Sequence, residues 1–336
     1  MNFAPLTTTS IGSLPRPSWL AQTDRSRVSF RLEGEALREA QGDATILALR
    51  EQDDLGIDIV TDGEQRREGF IFHMCRTWDG VDLVNQAEKA IYRRRNAPRV
   101  VPRITGKIKR RSPSTVEDVR FAKAHTGKPV KMALAGPMTV IDSSLNEHYA
   151  DEVEMAMDVA AAINAELLDL QAAGCDLFQL DEPAMTRYHE KVMAYGAAAL
   201  DRCLQGVTVP AIVHLCYGYP GGAALQHNYT YPELLDRLMQ TKIAGFTVEF
   251  ARSNYDPAIL KPYRDKLIMF GCIDPGNTPA PALDAVKRRI AAALEHLDPT
   301  RLLLAPDCGL MTISRDLARE KLAVMVAAAR ELRKGL

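Results

Sequence analysis

Apolar residues along this chain gather into short, near-continuous runs, separated by longer stretches with the spacing of amphipathic helices. The runs are Leu6–Gly12, Ile57–Gly63, Lys131–Gly136, Asp176–Asp181, Ala211–Cys216, Gly245–Phe250, Leu267–Asp274 and Arg301–Ala305. Each has the length of a strand, and its unbroken apolar character means that both faces are covered. Between them, Gly34–Leu55, Ala150–Ala173, Tyr188–Leu204, Tyr231–Ile243, Pro281–Leu297 and Ser314–Lys334 read as helices. Eight buried strands alternating with helices predict an α/β fold, a parallel sheet closed into a (β/α)8 TIM barrel. A doubly wound open sheet is the alternative. Its first strand usually leads into a GxGxxG turn, and here the turn reads GSLPRP.

One interval breaks the rhythm. About 65 residues separate the second and third runs, too many for one helix and its turns. The pattern predicts an insertion at about 66–115 within a single domain spanning 1–336. Inside it, Tyr92–Arg111 reads as two short strands around Pro and Gly, lying over the barrel mouth, and Thr115–Ala124 as the helix leading to the third strand. This stretch carries Arg93, Arg94, Arg95, Arg99, Arg103, Lys107, Lys109, Arg110 and Arg111. Such a run is either a solvated face balanced by acids or a landing site for an anionic substrate or a partner protein.

Composition narrows the class. A chain of 336 residues that is 46% hydrophobic can bury a large core, and a formal net charge of −1 argues against a general nucleic-acid binder. No apolar run is long enough to span a membrane, and MNFAPLTTTS lacks the basic and apolar regions of a secretory signal. The six cysteines, Cys75, Cys175, Cys203, Cys216, Cys272 and Cys308, are scattered and form no disulfide framework. A reducing cytoplasm fits, and it keeps the thiols free.

The candidate chemistry sits at the ends of the runs, where barrel enzymes build their active sites. Ser13, Asp62, Glu64, Asp181, Glu182, His214, Cys216, Glu249, Asp274, Asp307 and Cys308 all fall there. In AIVHLCYG (211–218), His214 and Cys216 are two apart on a strand and therefore share a face. With Glu249 and Cys308 they make a tetrahedral donor set for Zn2+: two thiolates, an imidazole and a carboxylate. A carboxylate ligand can yield to an incoming thiol, which the cation would hold as a thiolate, a nucleophile toward alkyl groups. Glu64, Asp181 and Glu182 suit an ammonium group on such a thiol, and Ser13 with the Gly12 backbone suits its carboxylate.

These residues lie in motifs that resemble the C-terminal, catalytic half of the cobalamin-independent methionine synthase family. The motifs are TTTSIGSLPRP, DGEQRREGF, AGPMT, QLDEPAM, HLCYG, TVEFARS and PDCGL followed by MTISR, in the family's order and over nearly the whole chain. The resemblance implies a barrel with zinc on His214, Cys216, Glu249 and Cys308, and homocysteine or a similar thiol bound through Ser13, Glu64 and Asp181. It implies zinc-dependent methyl transfer to that thiol. Two departures stand out. After AGPMT the family places a tryptophan near the pterin, whereas this chain reads VIDSSL, with Ser143 about there. Near the seventh strand the family has a proton-transfer histidine; GCIDPGNTP has none, and only Asp274 remains as a candidate catalytic group. The family's second, N-terminal barrel is not represented either, a pattern that resembles its short, single-barrel relatives. The methyl donor is therefore open between methyltetrahydrofolate and a methylated corrinoid or corrinoid protein. Alkyl transfer to another thiol, such as epoxide opening by coenzyme M, is a second reading, and a zinc-binding barrel without catalysis a third.

Overall fold

In the computed structural model, residues 3–24, 27–91, 98–217, 231–253 and 255–336 are described. The strands in chain order are β1 (Ala21–Asp24), β2 (Arg27–Phe30), β3 (Trp78–Ala90), β4 (Pro98–Arg110), β5 (Lys131–Ala135), β6 (Leu145–Asn146), β7 (Leu177–Asp181), β8 (Ala211–Leu215), β9 (Gly245–Glu249), β10 (Leu267–Ile273) and β11 (Leu302–Pro306). The helices are α1 (Gly34–Leu55), α2 (Phe72–Cys75), α3 (Val116–His125), α4 (Pro137–Asp142), α5 (Glu152–Ala172), α6 (His189–Lys191), α7 (Ala197–Cys203), α8 (Tyr231–Leu238), α9 (Leu283–Leu294) and α10 (Arg315–Arg333).

Six of the eight apolar runs form one parallel sheet in the order β11–β10–β9–β8–β7–β5. The first two runs join its edges. Thr8 bridges Leu304, Thr9 bridges Ile59 and Val60 bridges Val130, all parallel, so the barrel closes through a single bridge at each of these three seams. Side chains take over part of the ladder there. Asp58 Oδ2 accepts from Thr8 N at 2.8 Å, and the Gln52 amide accepts from Thr61 N at 3.0 Å and donates to Thr61 O at 2.8 Å. These local bonds satisfy backbone groups that a longer ladder would otherwise pair.

Alternation along the strands sorts side chains into two layers. Phe178, Leu180, Val213, Leu215, Phe246, Val248, Ile268 and Phe270 join the large core between sheet and helices. Leu177, Ile212, Leu267, Met269 and Leu303 form a separate cluster with Ile11 and Ile59 inside the barrel. The interior face then turns polar toward the strand ends, because two residues after Leu177 comes Gln179 and then Asp181, and two after Ile212 comes His214 and then Cys216.

The insertion departs from expectation in its pairing. Its ribbon is one long antiparallel pair, β3 with β4, running from Trp78 opposite Arg110 to Ala90 opposite Pro98, rather than two short strands within Tyr92–Arg111. It packs against α5, β4 pairs with β6 (Arg103 opposite Leu145), and Lys89 donates to Ile141 O and Ser144 O at the end of α4. Arg103 pairs with Glu147, Lys107 with Asp158 at 3.6 Å, and Arg110 with Glu166 at 2.7 Å and Asp169 at 2.6 Å, in order along the chain entering α5. Arg111 meets Asp79 at 3.2 Å. Those four basic residues are balanced by acids. Arg93, Arg94 and Arg95, like Gly218 of the HLCYG motif, lie outside the described residues.

Other differences are local. The helix expected over Tyr188–Leu204 is interrupted by a π-helical turn, Val192–Gly196, where Gly196 gives way to Met138 of α4: a Cβ there would sit 2.5 Å from the Met138 Sδ. The β1–β2 hairpin and α4 were not anticipated from the sequence pattern.

Candidate functional site

The His214, Cys216 and Cys308 ligand atoms lie within 4.8 Å of one another. His214 closes the interior face of β8, Cys216 follows it by two residues, and Cys308 stands just past β11. His214 and Cys216 are buried, Cys308 half-buried. Neither ring nitrogen of His214 has a hydrogen-bond partner of full geometry. A buried imidazole left in this state is costly unless something else takes its lone pair. Burial would lower the His214 pKa, but the Cys216 and Asp181 charges outweigh it and hold the ring above its usual value. The Cys308 thiol is pushed well up by its hydrogen bond to Cys216, by burial and by the charges of Cys216 and Glu249. Donors that raise one another's proton affinity in this way are relieved by a cation, so the set fits a thiophilic divalent metal.

Glu249, the last residue of β9, is buried beside this group, and its Oε1 accepts from Tyr217 N at 3.0 Å. Two side chains hold that strand end. The Tyr231 hydroxyl accepts from Glu249 N at 3.0 Å and donates to Leu215 O at 2.9 Å, clamping β8 to β9 one residue short of Cys216. Asp307 accepts from Phe250 N at 3.1 Å, Ala251 N at 3.0 Å and Arg252 N at 2.9 Å, which fixes the turn after Glu249. Gly271 makes room for it, since a Cβ at that position would lie 2.2 Å from Asp307 Oδ1.

A second group of polar residues adjoins the first. Asp181 is opposite His214 in the β7–β8 register. Its Oδ1 accepts from Gln179 Nε2 at 2.7 Å, and burial pushes its pKa up to about 6, with the Glu64 charge adding to the rise and His214 opposing it. Glu64 has a left-handed backbone, φ 56°, held by its N–H donating to Asp62 Oδ1 at 3.0 Å. The Arg67 guanidinium stands 3.5 Å from Glu64 Oε1, and Arg16 donates to the Glu64 and Arg67 carbonyls. Gly12 is required against this carboxylate, because a Cβ there would sit 2.7 Å from Oε1. Ser13 packs on the PDCGL turn: its carbonyl accepts from Leu310 N at 2.9 Å, and a Cβ at Gly309 would fall 2.1 Å from its Oγ.

Two other expected residues are engaged elsewhere. Glu182 Oε1 accepts from Met138 N at 3.0 Å, and its Oε2 accepts from Thr139 N at 2.9 Å and Thr139 Oγ1 at 2.7 Å, so the carboxyl anchors the start of α4. Asp274 Oδ1 accepts from Gly276 N at 2.7 Å and pairs with Arg252 at 3.6 Å, closing the turn after β10. Sequence reasoning missed the roles of Gln179, Lys131, Arg67, Tyr231 and Asp307. A signal was present for Gln179 and Lys131, both polar residues placed in apolar strands.

A closed parallel barrel with a thiol–imidazole donor set at its strand ends, next to two carboxylates, defines a TIM-barrel enzyme with a group of side chains that could hold a thiophilic metal. This chain belongs to the cobalamin-independent synthase catalytic domain family, which matches residues 6–331. It is 32% identical to a methionine synthase of Sulfolobus acidocaldarius over 325 residues, 96% of this chain and 90% of that protein. To a methionine synthase of Pyrococcus abyssi it is 31% identical over 341 residues, covering 100% of this chain and 95% of the relative. The structure of a B12-independent methionine synthase from Shewanella sp. W3-18-1, in complex with selenomethionine, superposes with a TM-score of 0.93 at 33% identity, covering 99% of both chains.

Proposed function

We propose that this protein transfers a methyl group to the sulfur of homocysteine, giving methionine, with zinc held by His214, Cys216, Cys308 and Glu249. The reading is carried by one juxtaposition: the His214–Cys216–Cys308 cluster stands directly beside the Asp181 and Glu64 carboxylates at the same end of the barrel. The relatives named methionine synthase support it, as does the selenomethionine in the Shewanella structure. Zinc bound there would lower the pKa of a coordinating thiol and so supply a thiolate at neutral pH.

The chain's own residues then do the orienting. Asp181 and Glu64 take the substrate ammonium, and Ser13 Oγ with the backbone at Gly12 takes its carboxylate. The thiol proton passes to solvent as the substrate binds, before transfer; the sulfur electron pair forms the new S–CH3 bond, and the donor leaves with the electrons of the bond that breaks. Buried walls around Asp181 and His214 keep water from competing for the methyl group. The donor is methyltetrahydrofolate or a methylated corrinoid, free or protein-bound, and the activity resides in one barrel domain over 1–336 that works in the cytoplasm. Among the described residues, no helix is long and apolar enough to cross a membrane.

Incubation of zinc-loaded protein with homocysteine and each methyl donor, with methionine measured by mass spectrometry, tests this. Product from either donor is expected. Alkylation of coenzyme M without any methionine formation would replace this reading with the alkyltransferase one, and inactivity with every thiol and donor would leave a non-catalytic zinc barrel.

A further inference from the structure

Lys131 opens β5 and is completely buried inside the barrel, below the site. A lysine in such a place must answer for its charge. Its Nζ donates to Ser10 O at 2.6 Å, Ile11 O at 3.2 Å and Gln179 Oε1 at 2.5 Å. With the Met269 Sδ as a distant fourth acceptor at 3.9 Å, the three oxygens match the three N–H bonds of an ammonium; a neutral amine has only two. Burial pushes the Lys131 pKa down to about 7, opposed by the charges of Asp181 and Glu64.

Gln179, also completely buried, connects this ammonium to the site. Its Oε1 faces Lys131 and its Nε2 donates to Asp181 Oδ1 at 2.7 Å. The two ends of an amide are nearly the same size, so shape alone does not choose its orientation. Chemistry does. Flipped, the amide would set its NH2 against an ammonium that can only donate, and its oxygen against a carboxylate that can only accept. Lys131 thereby fixes Gln179, and Gln179 fixes one oxygen of Asp181, leaving the other for a ligand.

We propose that Lys131 is a positioning residue for the thiol substrate: acting through Gln179, it holds Asp181 in the orientation that receives an ammonium group and so sets the preference for amino-acid thiols over thiols lacking the amine. This rests on the reading of Asp181 as the ammonium partner.

The test is titration calorimetry of zinc-loaded protein with homocysteine and with 2-mercaptoethanol, with zinc content measured alongside. Lys131→Met is expected to weaken homocysteine binding roughly tenfold, the worth of one hydrogen bond to a charged group, and to change 2-mercaptoethanol binding by less than about twofold. Gln179→Glu supplies a variant that keeps an acceptor for Lys131 but has no donor for Asp181. It should lose the same discrimination while retaining the fold, which a purely structural role for the lysine would not produce. Adding Lys131→Met to Gln179→Met should cause no further loss, because the two act in series. Equal weakening of both thiols, additive losses in the double variant, or unchanged discrimination in Gln179→Glu overturns the proposal. Asp181→Asn separates the two levels. If it leaves the discrimination intact, the ammonium reading itself fails; if it abolishes it while Lys131→Met does not, only the role of Lys131 falls.

Discussion

Asp181 and His214 are register partners on adjacent parallel strands, both facing into the barrel. Neighbouring strands are about 4.8 Å apart, so the backbones that carry this carboxylate and this imidazole are one strand spacing from each other. The pairing also ties the electrostatics of the two sites together, since each residue shifts the other's protonation.

The metal assignment predicts that Cys216→Ser and Cys308→Ser each lose most bound zinc, measured by mass spectrometry of the purified proteins. Removing zinc from the wild type with a chelator should leave the far-UV circular dichroism largely unchanged. The interior cluster of Leu177, Ile212, Leu267, Met269 and Leu303 and the larger core outside the sheet do not include the donors, so the barrel has no need of a metal staple. Full zinc retention by both variants would remove these cysteines from the site.

Asp181 gives a pH dependence with a definite sign in the metal-free protein. Burial raises its pKa from 3.8 to about 6. Between those values the folded state keeps a proton that the unfolded state has released, so stability falls as pH rises through this window and stays reduced above it. Asp181→Asn removes the effect. Its stability relative to wild type should rise between pH 4 and pH 6.5 by about 2–3 kcal/mol, read from urea unfolding at the two pH values. A flat difference would mean that the carboxyl is not penalised by burial.

Gly12→Ala removes no functional group, yet its Cβ would lie 2.7 Å from Glu64 Oε1. The Glu64 side chain must move aside, while the backbone at residue 12 accepts an alanine. Homocysteine affinity should drop roughly tenfold with a stability change within about 1 kcal/mol. Calorimetry and thermal unfolding on the same sample check both halves.

Arg110→Ala tests the basic ribbon as a structural device. Glu166 is completely buried and accepts from Arg110 at 2.7 Å, Thr115 N at 2.7 Å and Ser114 N at 3.0 Å. Removing the cation leaves a buried carboxylate short of its charge partner, a loss of about 3–5 kcal/mol. Urea unfolding should show it, with homocysteine affinity of the folded protein unchanged. Weaker thiol binding instead would give the ribbon a part in the site.

Glu182→Gln separates anchoring from substrate binding. An amide at this position would keep its oxygen for one of the α4 backbone donors, Met138 N or Thr139 N, and point NH2 at the other, which the carboxyl now satisfies. A stability loss of about 1–3 kcal/mol is expected, with the preference for homocysteine over 2-mercaptoethanol retained. Loss of that preference would return Glu182 to the substrate.

Much of this protein could be read from its sequence because the governing rules are local. Strand periodicity alone puts His214 and Cys216 on one face, and the succession of apolar runs calls for a parallel sheet, which their number and the GSLPRP turn favour as a closed one. Periodicity does not say which partner a polar side chain will meet. Asp181 and Glu182 are adjacent in sequence, yet one faces the barrel interior beside His214 and the other anchors α4 through Met138 and Thr139. The β4 ribbon's partner, Trp78–Ala90, carries too many charged and polar residues to stand out as a strand, and its place was decided by acids on and beside α5 that lie far along the chain. Lys131 is marked in the sequence only as a polar residue in an apolar strand; its role shows once the barrel closes around it and the oxygens of Ser10, Ile11 and Gln179 accept from its Nζ. The sequence by itself determined the barrel strands, most of their helices and the faces of the strands, since those follow from backbone geometry over a few residues. The tertiary structure alone decided the roles of the buried polar groups, because desolvation leaves each of them dependent on partners that only the closed barrel brings within reach.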